Sequence, residues 1–195
     1  DDFRVIKLDA NGAEIAGDHL DNGSFDYAPT GEELAAYDWT FTPHATNPSV
    51  AEIVEDCNGD KMMHVTYTSS SWSPMQLNRK IATPAGAGGI DWNAYTIYFK
   101  IKGYYNESTV MIGSDNNEAL RYLNSADYVT KKELGDGWTQ YAVKAVGKNA
   151  NGFRIKIYGN TYAYIDDFMV VKLDANGNEI AGDHLDNGSF DYAPT

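Results

Sequence analysis

The sequence predicts an all-β fold, an antiparallel β-sandwich of the jelly-roll kind, and three observations carry that prediction. Several runs alternate apolar and polar residues with a period of two, as strands with one buried face do. The stretches between them, TPAGAGGIDWN, GSDNN, LGDGW and GKNANG, are dense in Gly, Asn and Asp, the residues of turns. No longer segment carries an apolar stripe at the helical period.

Residues 1–8 contain a strand-like run, FRVIKL, and residues 9–21 (DANGAEIAGDHLD) read as a turn-rich connector. NGSFDYAPT opens a new unit at Asn22. APTGEELAAYDW has room for one helical turn, with Thr30 as its cap and Glu33 at the capping-box position. KMMHVTY then alternates, with Met63 and Val65 on one face and His64 and Thr66 on the other. In YTIYFKIKGYY, Ile97, Phe99 and Ile101 oppose Tyr98, Lys100, Lys102 and Tyr104. WTQYAVKAV behaves alike, and in FRIKIY Phe153, Ile155 and Ile157 oppose Arg154, Lys156 and Tyr158. The last strand of the unit is YIDDFMVVKL.

The boundaries come from a repeat. Residues 1–30 and 166–195 differ only at Arg4/Met169, Ile6/Val171 and Ala13/Asn178. A repeat at domain-sized spacing fits a tandem array rather than a solenoid. Each copy divides into the last strand of one unit, a connector and the first strand of the next. The chain is therefore expected to hold an end strand and linker over 1–21, one complete module over 22–173, and a linker with the following module's first strand over 174–195. Duplicated strands at both ends also predict strand-swapped self-association between copies.

The net charge of −13 is unevenly spread, because fourteen of the 28 acidic residues lie in the two repeats. The acidity belongs to the connectors and keeps them solvated. No basic stripe offers itself to a phosphate backbone, so nucleic acid is not an expected partner. No apolar run is long enough to cross a membrane, and no membrane partner is expected. Cys57 is the sole cysteine, which excludes an intramolecular disulfide. The four histidines show no metal-ligand spacing, and no Ser/His/Asp arrangement, phosphate loop or nucleotide fingerprint is present.

Four motifs in this order carry a resemblance: NGSFD at 22–26, Trp72-x-x-x-Gln76, Asp136-Gly137-Trp138, and YIDDFMVVKL at 164–173. Together they resemble the carbohydrate-binding modules of families 4, 9 and 22, jelly-roll units attached to xylanases and other polysaccharide-degrading enzymes. The resemblance covers the whole of residues 22–173. It implies a non-catalytic module that binds a β-linked polysaccharide, xylan ahead of β-glucan, in a concave groove. It also implies covalently linked neighbouring modules, an attached glycoside hydrolase, and a bacterial secreted or cell-surface location.

Binding a pyranose ring requires an exposed aromatic platform flanked by planar hydrogen-bonding groups. Trp72 is the first candidate, since SSSWSP surrounds it with small polar residues; in the resembled families a Trp here lines the binding face. Trp39, Phe99, Trp138 and Phe153 read as core instead. Gln76 falls on the same face as Trp72 if the strand continues, and is either a hydroxyl ligand or an ordinary strand residue. Tyr104, Tyr105 and Tyr122 are further platforms, with Arg121 offering a planar fork. Arg154 and Tyr158 line the groove if their face is the binding one, and are merely solvated otherwise.

The resemblance also implies a structural calcium ion tying the first strand to the last. The matching residues are Asp26 and Asp166, with Asp60 in the NGDK turn as an addition. Two other readings stay open: a jelly-roll glycosidase or lyase using Glu107 and Glu118, or a ligand-free spacer in a surface protein.

Overall fold

The computed structural model describes residues 28–30, 33–56, 58–68, 73–81, 91–115, 119–148 and 150–180. Trp72, Asp26, Cys57, Glu118 and the first repeat up to residue 27 lie outside the described residues. Among the described residues twelve strands form two sheets, and every pairing within them is antiparallel.

The strands are β1 (Ala28–Pro29), β2 (Trp39–Thr42), β3 (Ser49–Glu55), β4 (Lys61–Tyr67), β5 (Met75–Lys80), β6 (Tyr95–Tyr104), β7 (Val110–Ser114), β8 (Arg121–Tyr122), β9 (Val129–Gly135), β10 (Trp138–Lys144), β11 (Gly152–Ile157) and β12 (Thr161–Lys172). One sheet has seven strands in the order β1-β3-β4-β12-β6-β10-β9, and the other has five in the order β2-β5-β11-β7-β8. The chain passes repeatedly between the sheets, the interleaving of a jelly-roll sandwich.

Alternation decides which side chains meet between the sheets. Ile97, Phe99 and Ile101 of β6, Tyr141 and Val143 of β10, and Met63 and Val65 of β4 face Leu77 of β5 and Phe153, Ile155 and Ile157 of β11; all are buried. At the centre, Trp39 meets Phe153 edge-on at 5.4 Å and Phe168 at 4.9 Å, and Phe168 stacks on Phe99 at 5.6 Å. Burying rings of this size stabilises by about 2–3 kcal/mol each. Trp92, fully buried beside them, satisfies its indole N–H on the carbonyl of Ala150 at 3.1 Å.

The expectation of core positions holds for Trp39, Phe99 and Phe153. It fails for Trp138, which pairs with Lys102 and so faces outward, only half-buried under lysine side chains. The expected helical turn is present as a short 3-10 turn, Leu34–Tyr37, but its cap differs. Glu33 precedes it without a side-chain capping bond, while the Thr30 hydroxyl donates to the Ile53 carbonyl across the β1–β3 pairing.

Two turns are built alike. Asp56 Oδ1 accepts from the amides of Asn58 (2.8 Å) and Asp60 (3.0 Å), and Asp174 Oδ1 accepts from those of Asn176 (2.8 Å) and Asn178 (2.9 Å). The second turn folds the start of the expected C-terminal connector back on β12. Ile180 donates to Lys172 O at 2.8 Å, and the Tyr98 hydroxyl donates to Glu179.

Candidate functional site

On the outer face of the five-stranded sheet, register lines up two cross-strand rows. One runs Thr42, Gln76, Lys156, Met111, Tyr122 across β2, β5, β11, β7 and β8. The other runs Thr40, Asn78, Arg154, Gly113. Tyr158 extends the alternation of β11 one step beyond. Neighbouring strands lie about 4.8 Å apart, so Gln76, Asn78, Arg154 and Lys156 form one compact patch.

The patch is held in place from within. Arg154 Nε donates to Asn78 Oδ1, fixing both planar groups. At Gly113 a Cβ would stand 2.4 Å from the Ala119 carbonyl oxygen, so only glycine lets the chain cross there and wall the sheet beside Arg154. Burial, with Arg154 adding to it, holds Lys156 below the usual lysine range. Burial pushes the Tyr158 hydroxyl up, and Tyr122 adds to the shift. Burial likewise raises Asp115, with Arg154 pulling against it.

The structure thus brings Gln76, Tyr122, Arg154 and Tyr158 to one face and separates the other candidates from them. Tyr104 belongs to β6 of the opposite sheet and is 68% exposed there. Tyr105 turns inward: it packs on the core and shares a 3.0 Å hydrogen bond with the hydroxyl of Tyr141. Arg121 pairs with the core residue Ile112, not with the outward Met111, and its guanidinium lies over the Tyr128 ring at 4.6 Å. Asn78 and Lys156 are site residues that the sequence reading passed over. Period-two alternation from Gln76 and from Arg154 was the signal that could have found them.

The described part of the expected calcium site does not fit that ion. Asp166 Oδ2 lies 2.9 Å from Lys100 Nζ, whose ammonium also reaches Asp167 at 2.8 Å. An ammonium occupying the carboxylate stands where a cation would have to sit. Burial pushes Asp166 up to about 6, Lys100 pulls against it, and the charge of Asp167 adds to the rise. Asp60 closes the Asp56 turn, where its backbone amide donates to Asp56 Oδ1. Among the described residues no three His, Cys, Asp or Glu side chains gather around a metal position.

Glu107 accepts from Lys131 Nζ and from the Tyr141 hydroxyl, both at 2.6 Å. Burial pushes it up, but these partners outweigh burial and hold it below the usual range. That is the wrong direction for a general acid.

No protein-family model matches the chain, and no curated protein matches it. Solved structures to which the chain is similar include the arabinose-bound MgGH51 α-L-arabinofuranosidase (11% identity, TM-score 0.46, 77% of this chain and 25% of that one). A second is the Clostridium thermocellum endo-1,4-β-D-xylanase 10B, as its CBM22-1–GH10 modules complexed with xylohexaose (16% identity, TM-score 0.42, 75% of this chain and 28% of that one). A third is TmCBM27, a carbohydrate-binding module with specific mannan recognition (9% identity, TM-score 0.38, 73% of this chain and 92% of that one). The chain spans about a quarter of the length of the first two.

Proposed function

We propose that this protein is a non-catalytic carbohydrate-binding module whose ligand, a β-linked polysaccharide chain, lies across the outer face of the five-stranded sheet. The observation that carries the reading is the patch of Gln76, Asn78, Arg154 and Lys156, with Tyr122 and Tyr158 beside it. Amide and guanidinium groups present donors and acceptors in fixed planes, as ring hydroxyls require, and tyrosine supplies an apolar face with a polar tip. The Arg154–Asn78 bond orders two of these groups before any ligand arrives, which lowers the entropy lost on binding. Xylan is the preferred backbone, following the sequence resemblance, with β-glucan second. The module would bring an attached glycoside hydrolase to its substrate outside the cell, with tandem copies adding avidity.

Catalysis is the weaker reading. Glycoside hydrolysis needs two carboxyls at a set separation, whereas the two cross-strand rows of this face hold none. Glu107 is committed to Lys131 and Tyr141 on the other side of the sandwich edge.

Isothermal titration calorimetry against xylohexaose and cellohexaose tests the proposal, using wild type, Gln76→Ala and Trp72→Ala. Heat with one sugar, reduced by each substitution while the thermal transition stays put, is the expected result. No heat with either sugar would reject this face as a site for such chains, and release of reducing ends on long incubation with xylan would reject the non-catalytic reading.

A further inference from the structure

The outer face of the seven-stranded sheet has its own order. One cross-strand row runs Val50, Thr66, Tyr162, Tyr104 over β3, β4, β12 and β6. Val50, Tyr162 and Tyr104 are exposed by 43%, 51% and 68%, so large apolar surface is laid out in a line rather than scattered. Beneath Tyr162 lie two further rings: His64 meets it edge-on at 4.9 Å, and Tyr164 meets it edge-on at 6.0 Å, with a hydroxyl contact of 3.2 Å. The platform is therefore rigid before anything binds.

Gly103 fixes the pairing of the two exposed rings. Its φ is +117°, and a Cβ there would stand 2.4 Å from the Tyr162 carbonyl oxygen. Only glycine allows β6 and β12 to approach so closely at this point, and the approach sets Tyr104 beside Tyr162.

No acidic or basic residue belongs to this row. Glu52 bonds His64 at 3.0 Å, and Lys100 is shared by Asp166 and Asp167. A row of two phenol rings, a threonine and a valine offers little to an ionic partner. A second copy of the chain is disfavoured as the occupant, because its net charge of −13 repels its like. A neutral, polyhydroxylated chain meets no such penalty, and its ring faces suit adjacent tyrosines. Directly opposed residues on neighbouring strands stand roughly 5 Å apart, comparable to the rise of one sugar in an extended β-1,4-linked chain.

We infer that the Tyr104–Tyr162 row is a second binding site, for a neutral β-linked glycan chain lying across the strands of the seven-stranded sheet. Two tyrosines carry adjacent sugars, and Thr66 lies on the line of the chain. The site does not depend on the opposite face being a binding surface.

The test is an NMR amide titration with cellohexaose, xylohexaose and mannohexaose in turn, on wild type, Arg154→Ala, Tyr104→Ala and the Tyr104→Ala/Tyr162→Ala double variant. Saturable shifts at Thr66, Tyr104 and Tyr162 with at least one sugar are expected in wild type and in Arg154→Ala. The same shifts should vanish in the double variant and need about tenfold more sugar in Tyr104→Ala, whose exposed position protects the fold if the double variant does not survive. The inference is overturned by silence of these amides with all three sugars, by shifts that persist at wild-type sugar concentrations in Tyr104→Ala, or by shifts of these amides on dilution of the protein alone, which would identify a second copy as the occupant. Shifts here without any on the five-stranded face would instead overturn the function proposed for Gln76 and Arg154.

Discussion

The outer face of the five-stranded sheet displays amide, guanidinium and ammonium groups, with tyrosines at its margin. That of the seven-stranded sheet displays a line of rings over internally paired charges. Both are outer layers of the same core, so burial does not explain the difference. It lies in what each face leaves for a ligand: the first offers directional hydrogen bonds, and the second offers contact area. The first should therefore discriminate among glycans by hydroxyl geometry, and the second should tolerate several backbones.

The largest test of this contrast is Gly103→Ala. Its added Cβ meets the Tyr162 backbone in a conformation that L side chains rarely adopt, so a loss of about 3 kcal/mol is expected in urea unfolding. Glycan shifts on the seven-stranded face should disappear while those on the five-stranded face survive. A change within 0.5 kcal/mol, roughly what a neutral surface substitution gives, would mean that the close approach of β6 and β12 is not needed.

The next effect is the pH dependence that Asp166 gives the seven-stranded sheet. Asp166 titrates near 6 in the folded chain against 3.8 ordinarily, so the folded state binds its proton more tightly than the unfolded one. Stability contributed at acid pH is lost as pH rises from about 4 through about 6, amounting to about 3 kcal/mol. Asp166→Asn should flatten that part of the stability profile, and a profile unchanged by the substitution would remove Asp166 as its source.

Arg154→Ala should weaken glycan binding at the five-stranded face at least tenfold, about 1.4 kcal/mol, with an unchanged thermal midpoint. Unaltered calorimetric titrations would take Arg154 out of the site. Smallest is Tyr105→Phe, which removes one hydrogen bond to Tyr141 and should cost about 1 kcal/mol of stability with no change in glycan affinity. A loss of affinity there would return Tyr105 to the binding surface.

The parts of the fold legible in the sequence are those where one face is apolar and the other polar. β4, β6, β10 and β11 alternate cleanly, and the structure places their alternate residues inward as that pattern requires. β9 was not legible, because VTKKELG buries only Val129 and lies at the sheet edge, where lysines guard against pairing with other chains. Trp138 was misread because a large ring next to a Gly turn looks like core, whereas its pairing with Lys102 sends it outward. The candidate site was partly legible for a related reason. Alternation assigns Gln76, Arg154 and Tyr158 to a polar face, but nothing in one chain's periodicity says which strands are neighbours. Tyr104 and Arg154 look equivalent in sequence and stand on opposite sides of the molecule.

The duplicated segment enters the fold in two unequal places. In the second copy its first half forms the end of β12 and pairs with β6, and in the first copy its second half supplies Ala28 and Pro29 of β1, which pair with β3. A pull applied between Ala28 and Lys172 therefore acts on two strand pairs of one sheet, β1–β3 at one end and β12–β6 at the other. Load carried along the chain would thus run through the seven-stranded sheet, from β3 by way of β4 to β12 and β6, and bypass the five-stranded one.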